Sequence, residues 1–458
     1  MALDQQRNWD MSMADNLIAV KRRTISGGMP LRSIHIPERP KDKKRTDKSE
    51  PVTHFTREAV YLPDEIILEI LSYVKINGDT QHTLYSCCLL SHQWYTAAVP
   101  LLYERPFLYG KNFDPFVRAV CPSINLRIRW SPVSGLVKVL NMGSLVHHGS
   151  KSLTARLLGR TKESLEEFVA PQSSFAINCY AALSKCHKLR LLDLSLVSES
   201  TPLQITFDKI KSLENLRTLR LPRSSGFGAE VDANSIVWPP KLERLYLSGG
   251  IDAHFLYGVV HFPATLRELT FEHCPAAKAH AVRHLLVTLS QANIPLKYLK
   301  IAHMRCLGMS SLDPVLALFP KLEHLSVSVD YITPAIFNPE FLEYPVPNAD
   351  FTNHALRVLE LTNSGNPGIE DKFSPLDIMI AMDEGSLPNL RQVRVARSLG
   401  WASAGADMEG EIDALSEQLQ QLGEDDWKEK KGMFAEMTHD EWKKTDHRRT
   451  CCVWMVDG

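Results

Sequence analysis

The sequence predicts an α/β protein with a small N-terminal helical domain, followed by an irregular solenoid with a curved parallel sheet and helical or irregular return segments. Two observations predict this architecture. Apolar residues recur at helical spacing within residues 58–104, and the motif Leu-x-x-Leu-x-Leu recurs through most of the chain that follows. The first pattern is typical of amphipathic helices, and the second is typical of stacked short parallel strands.

Length, charge and cysteine content narrow the classes of protein that the chain can belong to. The 458 residues leave ample sequence for a large core. Because 52 basic residues balance 53 acidic ones, no overall field favours nucleic acid or a membrane, and we predict neither partner. No apolar run is long enough to span a bilayer, and the first residues lack the apolar core of a secretory signal. Nine cysteines without such a signal favour reduced thiols, and hence the cytoplasm, the nucleus or both.

The first 57 residues are predicted to form a disordered basic arm. They are charged and show no sustained apolar period. Two basic clusters, Lys21–Arg23 and Lys41–Arg45, could serve nuclear import. The alternative is a solvated linker whose charge is incidental.

The first helix of the N-terminal domain is predicted to begin just after Leu62. Pro63 suits the start of a helix because its missing N–H would have no intrahelical partner there. The acidic pair Asp64-Glu65 then lies where the helix dipole favours negative charge. Ile66 and Ile70, with Tyr73 or Val74 beyond them, recur at helical spacing and predict one apolar stripe.

The segment 58–104 resembles an F-box domain. A second helix is predicted over residues 83–93 and a third from Trp94, and the Leu-Pro start together with the distant tryptophan is typical of that family. The resemblance implies docking onto the Skp-type adaptor of a cullin-RING ubiquitin ligase. The residues implied for docking are Leu62, Pro63, Glu65, Ile66, Ile70, Leu89 and Trp94. All of them except Glu65 are expected to be buried partly in their own core and partly against the adaptor. The alternative is a three-helix unit that merely caps the solenoid.

The repeated motif predicts ten strands. Eight strong copies begin at Leu189, Leu216, Leu242, Leu266, Leu296, Leu322, Leu356 and Leu390, and two weaker copies begin at Val137 and Leu165. Successive copies start 24 to 34 residues apart, near the period of leucine-rich repeats. Residues 105–400 therefore resemble an irregular leucine-rich-repeat array. The alternative is a β/α domain whose strands share a leucine-rich pattern by chance.

Residues 401–458 change in composition and are predicted to form a capping helix and a charged tail. Ile412, Leu415, Leu419 and Leu422 share one helical face, which predicts a helix over 411–422 that covers the end of the array. Residues 423–449 are charged and predicted to be mobile. Residues 451–458 are apolar again, and the sequence leaves open whether they dock on the array or anchor a partner.

The sequence contains no recognisable catalytic motif. It has no glycine-rich phosphate loop, no Gly-x-Ser-x-Gly turn and no Cys-x-x-Cys pair. His280 and His284 lie four residues apart on a predicted helix, with His273 and Cys274 upstream, a spacing that could hold zinc. Ordinary surface and packing histidines are the favoured interpretation. We predict no catalytic residue, no cofactor and no metal.

Recognition is the predicted role of the array. Residues between the motif leucines are expected to face outward on the concave side of the sheet. The candidate substrate-binding residues among them are Arg220, Arg244, Tyr246, Tyr298, Lys300 and Arg394. Arginine also suits phosphate, so Arg220, Arg244 and Arg394 would suit a phosphorylated substrate. The alternative is binding on loops or tails.

Together, these features predict a non-enzymatic substrate-recognition subunit of a Skp–cullin–F-box-type ubiquitin ligase, whose protein substrate is unknown. The helical domain would dock the adaptor, and the repeats would hold the substrate close to the site of ubiquitin transfer. The alternative is a non-catalytic leucine-rich-repeat scaffold that acts outside ligase assembly.

Overall fold

A computed structural model describes most of the chain after residue 61. The described residues are 62–74, 78–123, 131–145, 150–224, 226, 232–259, 261–342, 346, 354–364, 373–430, 437–445 and 450–457. The predicted basic arm, including both basic clusters, lies outside them. The chain divides into two compact units, residues 1–137 and residues 138–458.

The first unit is helical where the structure describes it. Its helices are α1 (Asp64–Ser72), α2 (Gly78–Cys88), α3 (His92–Glu104) and α4 (Gly110–Val120), followed by a 3₁₀ turn at Pro132–Leu136. Helices α1 and α2 both pack against α3. As predicted, Asp64 and Glu65 occupy the first turn of α1, directly after Pro63.

The second helix differs from its predicted bounds of 83–93. It begins earlier and ends at Cys88, because Ser91 starts a new helix. The Ser91 hydroxyl accepts a hydrogen bond from the backbone N–H of Trp94 at 3.3 Å. Serine before the first residue of a helix satisfies one of the free backbone N–H groups of that helix. Ser91 therefore marks the start of α3, and α2 ends before it.

The second unit is built on one eleven-stranded parallel sheet. Its strands follow one another in sequence order, β1 to β11. They are β1 (Val139–Asn141), β2 (Glu167–Val169), β3 (Leu191–Asp193), β4 (Thr218–Arg220), β5 (Arg244–Leu247), β6 (Glu268–Glu272), β7 (Tyr298–Ala302), β8 (His324–Ser328), β9 (Val358–Thr362), β10 (Gln392–Ala396) and β11 (Cys452–Val456). Sequential parallel order is the arrangement of a solenoid.

Helices and 3₁₀ turns form the return segments and the C-terminal region of the second unit. The helices are α5 (Lys151–Thr161), α6 (Ile177–Leu183), α7 (Leu203–Ile210), α8 (Ala253–Gly258), α9 (Ala279–Gln291), α10 (Val315–Leu318), α11 (Pro375–Asp383), α12 (Ala406–Lys430) and α13 (His439–Thr445). The 3₁₀ turns are Ala233–Ser235, Val329–Tyr331, Pro334–Phe337, Pro339–Phe341, Arg397–Leu399 and Trp401–Ser403.

The motif leucines form the core of the array. Leu189, Leu192 and Leu194 are fully buried, and the corresponding residues of later repeats are buried in the same way. Leu192 is in register with Phe168 on one side and Leu219 on the other. Each buried leucine therefore stacks on its counterparts, and contributes about 1.5–3 kcal/mol through loss of apolar surface from water.

The array begins and ends later than the predicted range of 105–400. Its first strand starts at Val139, whereas α4 before it belongs to the helical unit. Phe113, Phe116 and Val120 recur at helical spacing and are buried in that unit, which explains why no strand forms there. At the other end, β11 extends the sheet beyond residue 400.

The described part of the C-terminal region contains more regular structure than the sequence predicts. The capping helix runs from Ala406 to Lys430, and α13 follows within the segment predicted to be mobile. Trp427 and Trp442 pack with ring centroids 5.3 Å apart, which holds α13 on the end of α12. The contact between these two tryptophans attaches α13 to α12. The prediction missed it because most residues in 423–449 are charged or polar. Among the described helices, none is both long and apolar enough to cross a bilayer.

Candidate protein-interaction site

Helix α1 has two apolar faces, one buried and one exposed. Ile67 and Leu71 are almost completely buried and form the contact with the rest of the helical unit. Ile66 and Ile70, one helical turn apart, keep 47% and 43% of their surface exposed. The stripe predicted through Ile66 and Ile70 exists, but Ile67 and Leu71 provide the core. Ile66 and Ile70 pack within their own unit only in part, because about half of their surface stays exposed.

Further exposed apolar side chains lie on α1 at Leu68, directly after α1 at Tyr73, and directly after α2 at Leu89 and Leu90. Leu68, Tyr73, Leu89 and Leu90 are each more than half exposed. Surfaces of this kind on a small unit mark sites where another protein binds. We use the term apolar docking surface for Ile66, Ile70 and Tyr73, the exposed apolar side chains that helical spacing places on one side of α1.

A hydrogen-bonded clasp joins the start of α1 to α3. The Gln93 side-chain amide donates to the Leu62 carbonyl at 2.7 Å and to Asp64 Oδ1 at 2.5 Å. Pro63 and Glu65 are exposed, and Leu62 and Trp94 are half-buried. The clasp therefore brings the Leu-Pro start close to the third helix, although the two segments lie about thirty residues apart in sequence.

The outward face of the sheet carries two rows of side chains in strict register. We call this face the strand face. The first row contains Thr218, Arg244, Glu268, Tyr298, His324, Val358 and Gln392. The second row contains Asp193, Arg220, Tyr246, Thr270, Lys300, Ser326, Glu360 and Arg394. All six predicted substrate residues therefore lie on the strand face, but they do not form one cluster.

The predicted cations of the strand face already have partners there. Arg220 lies 3.2 Å from Asp193 Oδ2, and its guanidinium also lies over the Tyr246 ring at 4.4 Å. Arg244 and Lys300 pair with glutamates at 3.8 and 3.6 Å, and Arg394 donates to the Gln392 side chain at 3.0 Å.

The arginines are also far apart on the sheet. Arg220 and Arg394 lie six strands apart, or about 29 Å at the usual strand spacing. The structure does not bring Arg220, Arg244 and Arg394 together at a single phosphate.

A polar cluster that the sequence analysis did not single out surrounds Tyr298. The Tyr298 ring contacts His324 edge-on at 4.7 Å, and His324 Nε2 lies 3.4 Å from Glu360 Oε2. Ser326 donates to the other oxygen of Glu360 at 2.9 Å. These contacts, with His324 the largest cause, hold the pKa of Glu360 below its usual value. Burial raises the pKa of Tyr298. Near neutral pH, Glu360 is therefore ionised and Tyr298 is neutral.

A charged residue directly precedes every strand from β1 to β10. Backbone hydrogen bonds place these residues side by side, as where Arg217 N donates to the Arg190 carbonyl at 2.8 Å. We call the set the charged column. Its members are Lys138, Glu166, Arg190, Arg217, Glu243, Arg267, Lys297, Glu323, Arg357 and Arg391. They occupy the second position of each motif copy, a signal that the sequence contains but that leucine-based pattern reading ignores.

Each glutamate of the charged column lies between two cations. The ion pairs Arg190–Glu166, Arg217–Glu243 and Lys297–Glu323 have separations of 3.6, 3.1 and 2.5 Å. Over this column lies a cleft of about 330 Å³. The cleft is lined by Arg267, Glu268, Lys297, Tyr298, Glu323, His324, Arg357 and Val358.

The histidines that were considered as possible zinc ligands, His280 and His284, pack against an aromatic ring in the structure. His280 and His284 both contact the Tyr257 ring, with centroids 5.9 and 4.7 Å away. Cys274 is fully buried, and burial raises the pKa of its thiol to about 12, so it is not a thiolate near neutral pH. Among the described residues, the group of possible ligands close enough to share one ion does not include His280, His284 or Cys274.

A helical unit with exposed apolar side chains, followed along the chain by a leucine-rich solenoid, defines a modular class of α/β protein. Residues 59–109 match the F-box-like family. The F-box protein YDR306C of Saccharomyces cerevisiae (strain ATCC 204508 / S288c) is 32% identical over 396 residues, which cover 82% of this chain and 79% of that protein. The protein pof5 of Schizosaccharomyces pombe (strain 972 / ATCC 24843) is 27% identical over 352 residues, covering 76% and 93%. This chain belongs to the F-box protein family.

One similar solved structure is a chain from the crystal structure of the TLR13–ssRNA13 complex. The TM-score is 0.30 at 17% sequence identity, and the match covers 59% of this chain and 38% of that chain. A likeness this slight carries no argument about fold or binding. The solenoid assignment rests on the strand order and register of the sheet itself.

Proposed function

We propose that this chain is the substrate-recognition subunit of a Skp–cullin–F-box-type ubiquitin ligase and has no catalytic role of its own. Membership of the F-box family supports docking onto a Skp-type adaptor. The observation that carries the proposal is the apolar docking surface. Its side chains are exposed, although the same helix already contributes Ile67 and Leu71 to the core of the unit.

The substrate protein is proposed to bind the strand face. The cleft over the charged column offers a concave site with Tyr298 in its wall. Tyrosine and arginine are the residue types that most often anchor protein interfaces. Because Glu268 and Glu323 lie among the cations that line the cleft, a complementary surface of mixed charge fits this face better than a uniformly acidic one.

The adaptor interaction can be tested by a double charge substitution on α1. Ile66→Asp with Ile70→Asp places two carboxylates on the apolar docking surface while leaving Ile67 and Leu71 in the core. Burying a whole isoleucine is worth about 1.5–3 kcal/mol, and each of these two has just under half of its surface left to bury, so loss of both should weaken adaptor binding at least about tenfold. The full chain is co-expressed with the Skp-type adaptor, and the affinity of the complex is measured by calorimetry.

A matched control lies on the repeat array. Leu376 and Ile380 are each 48% exposed and also one turn apart, on helix α11. Leu376→Asp with Ile380→Asp should leave adaptor affinity unchanged. Equal loss in both double variants, or no complex with the unsubstituted chain, would contradict adaptor docking through α1.

Assembly with a cullin separates the ligase role from that of a scaffold outside the ligase. Under the proposal, the chain and adaptor together retain a cullin in a pull-down from purified components, and the Ile66→Asp, Ile70→Asp variant loses it. A tight complex with the adaptor that excludes the cullin would instead support the scaffold.

A further inference from the structure

Two histidines occupy matching positions at the ends of strands β6 and β7. Because Glu272 is in register with Ala302, the residues that follow, His273 and His303, are neighbours on adjacent strands. Their imidazole rings are parallel to within 4°, with centroids 4.6 Å apart. His273 is half-buried and His303 is exposed.

Both histidines adopt a backbone conformation that ordinary side chains avoid. Their φ angles are 57° and 52°, in the left-handed region. The matching residue of the preceding repeat is Gly249, with φ 85°, whose N–H donates to the His273 carbonyl at 3.1 Å. Glycine adopts this conformation without strain, so the turn itself does not require histidine. Strained residues concentrate at functional sites. Two strained histidines at the same position of successive repeats therefore point to a role for the imidazoles.

Glu272 adds a carboxylate to the pair. One nitrogen of each imidazole and one carboxylate oxygen all lie within 4.8 Å of one another. His273 Nε2 lies 3.9 Å from Glu272 Oε1. Imidazole and carboxylate are ligands that zinc and the neighbouring divalent transition metals accept. We propose that Glu272, His273 and His303 form a binding site for a divalent transition-metal ion at the ends of β6 and β7.

The surroundings define how such a site would operate. Three protein ligands leave at least one coordination position open, and the exposure of His303 makes that position accessible to water or to a donor atom of a bound protein. The parallel rings must turn so that their nitrogens converge on the ion. The ammonium of Lys300 lies 3.6 Å from Glu272 Oε1 and competes with the ion for that carboxylate.

The test is a titration of the full-length chain with Co²⁺, followed by visible absorption and by displacement with Zn²⁺. We expect one Co²⁺ per chain with weak d–d bands. His303→Asn and Glu272→Gln should each lower the affinity at least about tenfold, since even outer-shell losses cost about 10- to 100-fold. Asparagine tolerates the left-handed backbone, so the turn is kept.

Two further variants make the result decisive. Lys300→Met should raise the affinity for Co²⁺, a gain that misfolding cannot produce. His280→Ala with His284→Ala removes the other histidine pair and should change nothing. The proposal is overturned if this control abolishes binding, if strong thiolate-to-cobalt charge-transfer bands place the ion on cysteine, or if no Co²⁺ binds at about 1 mM, the weak end of the range of protein metal sites.

Discussion

At the residue scale, His354 shows how one buried side chain ties the array together. It is 1% exposed and lies just before β9. Its Nδ1 accepts a hydrogen bond from Leu356 N at 3.1 Å, so the proton is on Nε2, which lies 3.1 Å from the Leu316 carbonyl. Only the neutral imidazole satisfies both contacts. Burial accordingly lowers the pKa of His354 from its ordinary value of 6.5.

We expect acid to destabilise the array through His354. The unfolded chain binds a proton at this residue near pH 6.5, whereas the folded chain binds it only at lower pH. The stabilising contribution is therefore complete above pH 6.5 and is lost as the pH falls towards the folded pKa. The thermal unfolding midpoint, measured between about pH 7.5 and about pH 5.5, should fall less in His354→Asn, which does not titrate.

Exposed His187 provides the control for this pH dependence. His187→Asn should retain the full acid sensitivity of the unsubstituted chain. If His354→Asn loses stability on acidification as steeply as the unsubstituted chain does, the prediction fails.

The residue scale is also where prediction from sequence was least complete. Ile66, Ile67, Ile70 and Leu71 are all apolar, so helical periodicity identifies two overlapping stripes on α1 and cannot tell which one faces the core. That choice depends on where α3 packs, which is a tertiary contact. The outward rows of the sheet were easier to predict, because the motif leucines leave no alternative to which residues face out.

At the element scale, helix α12 is held on the array by a buried ion pair. The guanidinium of Arg391, the last member of the charged column, donates to both carboxylate oxygens of Asp426 at 2.8 Å. It also donates to the carbonyls of Pro388 and Leu390. Its side chain is 7% exposed and that of Asp426 is 17% exposed. Asp426 thereby connects the capping helix to the start of β10.

Removing Asp426 should destabilise this end of the array. Loss of one partner from a fully buried pair costs about 3–5 kcal/mol, and we expect about 2–3 kcal/mol for Asp426→Ala because Asp426 retains some solvent contact. Urea unfolding, followed by the fluorescence of Trp427 and Trp442, measures the change in midpoint.

The neighbouring residue supplies the matched control. Asp425 accepts from exposed Lys428 at 3.0 Å and from the Gln421 side chain at 3.2 Å, and exposed contacts of this kind contribute little. Asp425→Ala should leave the midpoint unchanged. Similar shifts for Asp425→Ala and Asp426→Ala would argue against an anchoring role for the buried pair.

Strand β11 was not predicted from the sequence because it forms only through pairing with β10. The ten motif strands were predictable because each copy repeats the same buried spacing. Strand β11 has no such motif, and its pairing with β10 depends on α12 returning the chain to the sheet edge. Residues 451–458 were recognisable as apolar, but composition alone cannot specify a partner strand.

At the scale of the whole molecule, each strand of the array contacts only the strands before and after it. Damage to one repeat should therefore remain local. Leu299→Ala removes a fully buried side chain from β7 and should cost about 2–5 kcal/mol. Hydrogen–deuterium exchange should then rise in β6, β7 and β8 and stay low in β2 and β10. The outward neighbour provides a control, since Lys300→Ala should leave protection intact.

A uniform rise across all strands would mean that residues 138–458 unfold as a single cooperative unit. The solenoid can be predicted from the sequence because each strand pairs with the strands of the neighbouring repeats and the same motif recurs in every repeat. The boundary between the two units was harder to predict, because α4 has a helical pattern that return segments also show.

The charged column has a consequence for how the array can change over evolutionary time. Its charges follow a period of three, with one glutamate for every two cations, and Asp426 supplies the anion after the third glutamate. Losing the repeat that contains Glu243 would leave four cations side by side, from Arg190 to Lys297. Losing three consecutive repeats would preserve the alternation. A change of three consecutive repeats is therefore the smallest one that keeps the period of the charges wherever in the array it falls.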